Sequence, residues 1–309
     1  MRTAFIQSLT ECARSNENIW LLTADLGFSV LERFRDEFPD RFINVGIAEQ
    51  NMIGIASGLA LSGKTVFVYS IANFPTIRCL EQIRNDVCYH NLNVKIVAVG
   101  GGLSYGTLGY THHGIEDLAL MRALPNISVV APGDPTETGL LTELLTSSTG
   151  PAYLRIGKAG EPVLHKNLQS IRIGDILQLV EGKDITILTT GGTLEIANNV
   201  ALKSNNLGLF PSVYSVPFLK PINHLKLTEI LSQSKLVVTV EEHKEGGLGT
   251  VISEFITTNK ITCELIKFRL PENIIHEVGS QVFLRDKYGL NDHNILTSII
   301  SFSKANGLT

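Results

Sequence analysis

Short apolar runs that alternate with helical segments constrain the fold of this chain most. Such alternation is typical of α/β domains built on mainly parallel sheets. We therefore predict an α/β fold. The predicted strands cover residues 20–23, 42–45, 65–69, 94–99, 128–131, 152–156, 185–189, 208–215, 235–241 and 263–268. The predicted helices cover residues 2–15, 49–62, 76–89, 115–123, 134–147, 193–204, 223–232, 247–258 and 292–304.

A stretch rich in glycine and proline, residues 157–174, interrupts this alternation. Such stretches are typical of connections between elements. The chain of 309 residues is long enough for two hydrophobic cores. We predict a first domain at residues 1–160, a linker at residues 161–180 and a second domain at residues 181–309.

The charge balance excludes several classes of partner. The chain has 26 basic and 30 acidic residues, a net charge of −4, and these charges are mixed along its length. We therefore expect binding neither to nucleic acid nor to a membrane surface. No apolar run approaches the ~20 residues of a membrane span, and residues 1–13 resemble an amphipathic helix rather than a secretory signal. A cytoplasmic location is the prediction.

The four cysteines show no pattern of a disulfide framework or a zinc site. They lack CxxC spacing and have no histidine at ligand spacing. Unpaired thiols suit a reducing cytoplasm. The residues are Cys12, Cys79, Cys88 and Cys263.

One carboxylate, Glu49, stands at a predicted helix start after the string Asn-Val-Gly-Ile-Ala, residues 44–48. An acid at this position usually complements the helix dipole. Further motifs follow a fixed order around it. They are Thr-Ala-Asp-Leu-Gly at 23–27, Val-Phe-Val-Tyr-Ser at 66–70, the run from Phe74 to Arg78, and Gly-Thr-Leu-Gly-Tyr-Thr-His-His-Gly at 106–114.

This order of motifs resembles the pyrimidine-binding half of the transketolase family of thiamine diphosphate enzymes, and the similarity covers essentially all 309 residues. It implies a pyrimidine-binding domain at residues 1–160, followed by a transketolase C-terminal domain. A full-length transketolase begins with a diphosphate-binding domain, which these residues do not contain.

The resemblance implies a set of cofactor-binding residues. Glu49 matches the catalytic glutamate that shares a proton with N1′ of the aminopyrimidine. Phe74 matches the phenylalanine that stacks on this ring. Ile71 and Ile77 take two pocket positions that are aromatic in many members, so the pocket should be more aliphatic. Asp25 matches an aspartate near the cofactor and the subunit contact, although a turn aspartate looks the same in sequence.

The histidine pair of the 106–114 loop is the second catalytic candidate. His112 matches the family histidine that contacts the donor carbonyl, a task that suits a side chain with an exchangeable proton near neutral pH. His113, often glutamine in relatives, is given a weaker substrate contact.

Two departures from the family concern the sugar. Leu108 replaces an aspartate that reads a donor hydroxyl, and Gly100 replaces a histidine of the substrate channel. Both replacements remove a hydrogen-bonding side chain. They suggest an unusual substrate, such as a deoxy or branched sugar.

The phosphate end of the substrate site resembles the family more closely. Arg2 and Ser29 match a phosphate-binding arginine and serine, and Lys158 stands where many relatives have a second arginine. Lysine keeps the charge but lacks the bidentate fork, so recognition should be looser. Solvated surface charge is the alternative for Arg2 and Lys158. Arg155 is a further candidate anion contact.

The family binds Mg²⁺ and the diphosphate through a Gly-Asp-Gly motif that is not found in these 309 residues. We therefore predict no metal ligands here and expect a separate N-terminal subunit to supply them in an α2β2 assembly. The segment Glu-Gly-Gly-Leu-Gly-Thr at 245–250, next to His243, is interpreted as a packing turn.

The resemblance implies the C-terminal subunit of a split transketolase. It would transfer a two-carbon ketol unit from a ketose, expected to be phosphorylated, to an aldose, with thiamine diphosphate and Mg²⁺ as cofactors. Three alternatives remain open: an enzyme like 1-deoxyxylulose 5-phosphate synthase, the β subunit of a 2-oxo acid dehydrogenase, and a non-catalytic regulatory subunit.

Overall fold

Two mainly parallel β-sheets form the framework of the computed structural model, which describes residues 1–307. The strands are β1 (Ile19–Thr23), β2 (Phe42–Asn44), β3 (Thr65–Ile71), β4 (Val94–Val99), β5 (Ser128–Val130), β6 (Ala152–Ile156), β7 (Leu177–Val180), β8 (Asp184–Thr189), β9 (Ser212–Ser215), β10 (Phe218–Lys220), β11 (Ser234–Val240) and β12 (Glu264–Phe268). The helices are α1 (Arg2–Ser15), α2 (Glu32–Glu37), α3 (Glu49–Leu61), α4 (Leu80–Gln82), α5 (Asp117–Ala123), α6 (Pro135–Ser147), α7 (Leu194–Asn205), α8 (His224–Ser232), α9 (Leu248–Asn259), α10 (Gln281–Lys287) and α11 (Asp292–Ala305). The predicted α/β fold is confirmed.

The first sheet has seven strands in the order β10-β5-β6-β4-β3-β1-β2. All neighbouring strands pair in parallel except β10, which runs antiparallel to β5. The inner strands β3, β4 and β6 are buried along their whole length. Strands that are buried continuously in this way are expected where helices cover both faces of a parallel sheet.

The second sheet has five strands in the order β12-β11-β8-β9-β7, and only β7 is antiparallel to its neighbour. Its core packs α7 and α11 against β8 and β11 through Leu194, Val200, Ile295 and Ile299. Among residues 1–307, no helix combines the length and apolar composition needed to cross a bilayer.

Several elements differ from the sequence-based prediction. α2, α10, β7 and β10 were not predicted, and β7 lies inside the range predicted as linker. The predicted helix at residues 76–89 is broken into a 3-10 turn, the short α4 and a π-helical segment, Ile83–Cys88. The predicted strand at residues 208–215 begins only at Ser212, because glycine and proline precede it.

Helix α6 begins as predicted, with Asp134 as the N-cap and Pro135 as the first helical residue. Oδ1 of Asp134 accepts a hydrogen bond from the Glu137 N–H at 2.8 Å. Oδ2 of Asp134 accepts from the backbone N–H groups of Leu164 and His165 at 2.9 and 2.7 Å. The same carboxylate therefore caps the helix and fixes the chain that leaves the first sheet.

His165 lies between two buried carboxylates. Its Nδ1 is 3.5 Å from Oδ2 of Asp134 and 3.2 Å from Oε1 of Glu137. Burial alone lowers the pKa of His165, but hydrogen bonds and charge from Asp134 and Glu137 outweigh it and raise this pKa to about 9. The three side chains have spacing that could hold a metal ion. A proton on His165 balances part of the negative charge of these carboxylates without a metal ion.

Folding stability should depend on the proton of His165. Because the folded pKa, about 9, exceeds the ordinary value of 6.5, this contribution is complete below pH 6.5 and is lost as the pH rises to 9. We expect the urea midpoint of His165→Asn to change less between pH 6.5 and 9 than that of the wild type. His90→Asn, at an exposed histidine, is the control and should retain the wild-type slope. Equal slopes in wild type and His165→Asn would contradict the assignment.

Candidate active site

The predicted cofactor-binding segments follow four neighbouring parallel strands of the first sheet. Asp25 follows β1, Glu49 follows β2, Phe74 follows β3, and the loop that carries His112 follows β4. The carboxyl ends of parallel strands meet at one edge of a sheet, where α/β proteins bind ligands. The register of β1, β2, β3 and β4 places these four segments at the same edge.

Glu49 is the first residue of α3, and its side chain is only 3% exposed. The backbone reaches it through Gly46, whose φ of +72° favours glycine. The N-cap residue, Ala48, makes no side-chain capping bond. Glu49 therefore adds negative charge to an otherwise uncapped helix N-terminus, which is a favourable electrostatic position.

Arg78 provides the counter-charge of Glu49. Its Nη1 lies 2.7 Å from Oε2 of Glu49, while 45% of the arginine side chain stays exposed. Its guanidinium carbon is also 4.5 Å from the centre of the Phe74 ring, in cation–π geometry. Arg78 thus connects the buried carboxylate to the half-buried aromatic ring. The motif from Phe74 to Arg78 includes this arginine, but the sequence assigned it no role.

His112 packs against Phe74. The two ring centres are 5.3 Å apart with an interplanar angle of 67°. Partial burial lowers the pKa of His112, which favours the neutral imidazole at pH 7. Its Nδ1 is 3.0 Å from the hydroxyl oxygen of Thr111. The structure therefore brings Glu49, Phe74 and His112 into one cluster.

His113 points into the protein. Its side chain is fully buried, and neither ring nitrogen has a hydrogen-bond partner among the described residues. Burial lowers its pKa. The loop backbone around it is held by Asn73, whose amide donates to the carbonyls of His113 at 2.7 Å and Thr111 at 3.2 Å. The substrate contact predicted for His113 stays a prediction, and its side chain offers no exposed surface for it.

Asp25 is exposed and takes a left-handed conformation with φ of +55°. Its N–H donates to Oδ1 of Asn44 at 2.9 Å, and the Asn44 amide donates to Oδ1 of Asp25 at 3.3 Å. These bonds tie the turn after β1 to the end of β2.

The two isoleucines predicted in the cofactor pocket differ in burial. Ile71 is 8% exposed, whereas Ile77 is 48% exposed.

Two residues predicted at the phosphate end, Arg2 and Lys158, are in contact although they are distant in sequence. Nε of Arg2 donates to the backbone carbonyl of Lys158. Nζ of Lys158 lies 4.9 Å from the ring centre of Tyr105. Ser29 is exposed with φ of +63°, and its N–H donates to Oε1 of Glu32 at 2.8 Å. The phosphate roles of these residues remain predictions.

Arg155 is 5% exposed and is held by groups of the protein. Its Nε is 2.9 Å from Oδ2 of Asp117, and its Nη2 donates to the carbonyls of Gly114 at 2.5 Å and Glu242 at 3.0 Å. Arg155 thus joins the end of the histidine loop to the second α/β unit. The anion contact predicted for Arg155 stays a prediction, and this interior role was not foreseen from sequence.

The predicted packing turn near His243 adjoins this network. Nε2 of His243 is 3.7 Å from Oδ1 of Asp117, and its Nδ1 is 2.9 Å from the Lys244 carbonyl oxygen. Complete burial lowers the pKa of His243 to about 4, so the ring is neutral near pH 7. Glu241 accepts the first N–H groups of α9 from Leu248 and Gly249, each at 2.7 Å.

The converging groups suit a flat nitrogen heterocycle. A buried carboxylate can share a proton with a ring nitrogen, an aromatic side chain can lie against the ring, and a neutral imidazole can exchange a proton nearby. Large exposed apolar side chains occur in the segments that carry these groups. They are Phe28, Ile47, Ile77, Leu108 and Tyr110.

Comparison with known proteins identifies the family. The transketolase pyrimidine-binding domain matches residues 1–160, and the transketolase C-terminal domain matches residues 174–295. A subunit of the apulose-4-phosphate transketolase of Phocaeicola vulgatus is 35% identical over 306 residues, which cover 98% of this chain and 97% of that protein. The 6-deoxy-6-sulfo-D-fructose transketolase subunit of Clostridium sp. strain MSTE9 is 31% identical over 299 residues, 96% of this chain and 92% of that protein.

A solved structure supports the same assignment. It is described as a split gene transketolase, inactive beta4 tetramer, and it is 35% identical to this chain. It superimposes with a TM-score of 0.89 and covers 97% of both chains. The chain therefore belongs to the transketolase family, of which it contains the pyrimidine-binding and C-terminal domains.

Proposed function

We propose that this chain is the C-terminal subunit of a two-chain, thiamine diphosphate-dependent transketolase. The observation that carries the proposal is the cluster of the buried Glu49 with the partly buried Phe74 and His112 at one sheet edge. The similarity to transketolase subunits over nearly the whole of their length supports it. The proposed reaction moves a two-carbon ketol unit from a ketose to an aldose.

When bound, thiamine diphosphate supplies the carbanion chemistry that breaks and forms a carbon–carbon bond beside a carbonyl group. Glu49 would hold the shared proton at N1′ of the aminopyrimidine, and Phe74 would fix the plane of this ring. Neutral His112 would hydrogen-bond the donor carbonyl oxygen. Arg78 contacts Phe74 and pairs with Glu49, so its side chain would have to move aside if the ring were to contact both residues.

An anionic end group is the proposed common feature of the substrates. The two related subunits are named for a sugar phosphate and for a sulfo sugar. Arg2 and Lys158, which are in contact in this chain, would bind such an end by charge. Because Lys158 lacks the bidentate fork of an arginine, the site should accept anions of different geometry. We propose that the donor is a ketose with a terminal phosphate or sulfonate. Leu108 and Gly100 would allow its carbon chain to differ from that of ordinary ketose phosphates by being deoxy or branched.

A separate subunit would supply the diphosphate and Mg²⁺ ligands in an α2β2 assembly in the cytoplasm. The exposed apolar side chains beside the site, among them Phe28 at 69% and Ile47 at 81% exposure, would be covered by that partner. The four free cysteines suit a reducing compartment. The related split-gene chain, described as inactive in its beta4 form, is consistent with a need for a partner.

The purified chain alone, with thiamine diphosphate and Mg²⁺, should show no ketol transfer. Addition of the chain that carries the Gly-Asp-Gly motif should produce activity at a fixed molar ratio. The assay uses xylulose 5-phosphate, fructose 6-phosphate or 6-deoxy-6-sulfofructose as donor and ribose 5-phosphate as acceptor, so that the products differ from the substrates for every donor. Robust transfer by the isolated chain would contradict the shared site. Release of CO₂ from pyruvate by the assembly, without ketol transfer, would favour the decarboxylating alternatives.

A further inference from the structure

The ring of Tyr105 occupies the space beside Gly100. Gly100 has φ of +78°, a conformation that favours glycine. A Cβ atom at residue 100 would lie 2.1 Å from Cε2 and 2.2 Å from Cδ2 of Tyr105. The present position of the Tyr105 ring is therefore incompatible with any side chain at residue 100, including the histidine that relatives have there.

Tyr105 also lies near residues from both ends of the proposed substrate site. Its ring centre is 6.4 Å from that of His112 at the reacting end. Nζ of Lys158 is 4.9 Å from the Tyr105 ring centre, and the charge of Arg2 opposes the rise that burial causes in the pKa of the phenol. The side chain is only partly buried, so part of its surface is open to solvent.

The hydroxyl of Tyr105 is available to a ligand. Burial raises the pKa of the phenol, so it stays protonated at neutral pH. No hydrogen bond to a described residue contributes to this shift. A phenol can both donate and accept a hydrogen bond. Leu108, in the same loop, can do neither.

We propose that Tyr105 is a specificity-determining residue whose hydroxyl binds a hydroxyl group in the middle of the donor sugar, and that Gly100 is required to admit its ring. This inference rests on the proposed function, because it needs a sugar that extends from His112 to the Arg2–Lys158 pair. Tyr105 thereby replaces the polar contacts that Leu108 and Gly100 do not provide.

Tyr105→Phe tests the hydroxyl while keeping the ring. In the assembled two-chain enzyme with the best donor of the panel above, we expect kcat/KM to fall about 5- to 10-fold, mainly through KM, as for the loss of one neutral hydrogen bond. Tyr89→Phe, at a tyrosine that is 78% exposed, is the matched control and should stay within twofold of wild type. An unchanged kcat/KM in Tyr105→Phe would overturn the inference.

Deoxy donors separate a sugar contact from a packing effect. For the wild type, kcat/KM should be lower with the donor that lacks the contacted hydroxyl than with the full donor, by about the factor that Tyr105→Phe loses. For Tyr105→Phe, the two donors should give the same kcat/KM. Equal discrimination by both enzymes would overturn the contact. An inactive wild-type assembly would overturn the proposed function and the inference together, whereas an active wild type with a neutral Tyr105→Phe would overturn the inference alone.

The link with Gly100 is tested by a double-mutant cycle. Gly100→Ala should displace the Tyr105 ring and lower kcat/KM at least as much as Tyr105→Phe. In the Tyr105→Gly background, the added effect of Gly100→Ala should be smaller, because the colliding ring is gone. Melting temperatures within a few degrees of wild type establish that each variant folds. Additive effects on kcat/KM would overturn the role assigned to Gly100.

Discussion

Replacement of Glu49 by glutamine should lower kcat of the assembled enzyme about 10³-fold. Glutamine has the same shape and can still hydrogen-bond N1′, but it cannot share a proton with it, and positioned proton transfer contributes about 10²- to 10⁴-fold. Steady-state ketol transfer measures the loss. Thiamine diphosphate binding, followed by calorimetry, should change by less than tenfold because the ring contact with Phe74 remains.

Glu17→Gln is the matched control for this variant. Glu17 is an exposed glutamate that follows α1, so its variant should retain wild-type kcat. Glu49→Gln should also keep its fold, because Arg78 is 45% exposed and remains hydrated when its charged partner is removed. A Glu49→Gln enzyme with at least one tenth of wild-type kcat would refute the proton-sharing role and favour a non-catalytic subunit.

Replacement of Arg155 by methionine should strongly lower the free energy of unfolding. It leaves the carboxylate of Asp117, which is fully buried, without its cationic partner. Breaking a buried ion pair by removal of one partner costs about 3–5 kcal/mol. This corresponds to a fall on the order of 10 °C in the apparent melting temperature, which differential scanning fluorimetry measures.

Two further variants check this assignment. Arg172→Met, at an exposed arginine, should leave the melting temperature within about 2 °C of wild type. Tyr153→Phe removes the hydroxyl that donates to Asp117 at 2.6 Å but keeps Arg155 in place, so its loss should be smaller than that of Arg155→Met. Similar stability of Arg155→Met and Arg172→Met would show that the interior network contributes little.

The sequence predicts most of the regular fold because its long apolar strands carry a clear signal. β4 and β6 match their predicted ranges, and α1 begins and ends as predicted. β7 and β10 were missed because neither fits the alternation of strands and helices on which the prediction depends. β7 lies in the range predicted as linker, β10 follows β9 without a helix between them, and both pair antiparallel at a sheet edge.

Motif order predicts candidate site residues but not their side-chain partners. Glu49 and His112 come from strings that resemble the family, whereas the contact of Arg78 with both Glu49 and Phe74 depends on how the segment after β3 turns. The burial of His113 beside the half-exposed His112 is likewise a result of loop geometry. Tyr105 carries no motif, and only the collision expected at Gly100 draws attention to it.

The edge strand β10 makes the first sheet depend on the second half of the chain. β10, Phe218–Lys220, pairs with β5, and the N–H of Ala131 donates to the carbonyl of Pro217 at 2.7 Å. A gene break between residues 160 and 174 would therefore expose the edge of β5, a surface that favours aggregation. The two domains of this chain are thus poor candidates for separate expression or recombination, however modular their family boundaries make them look in sequence.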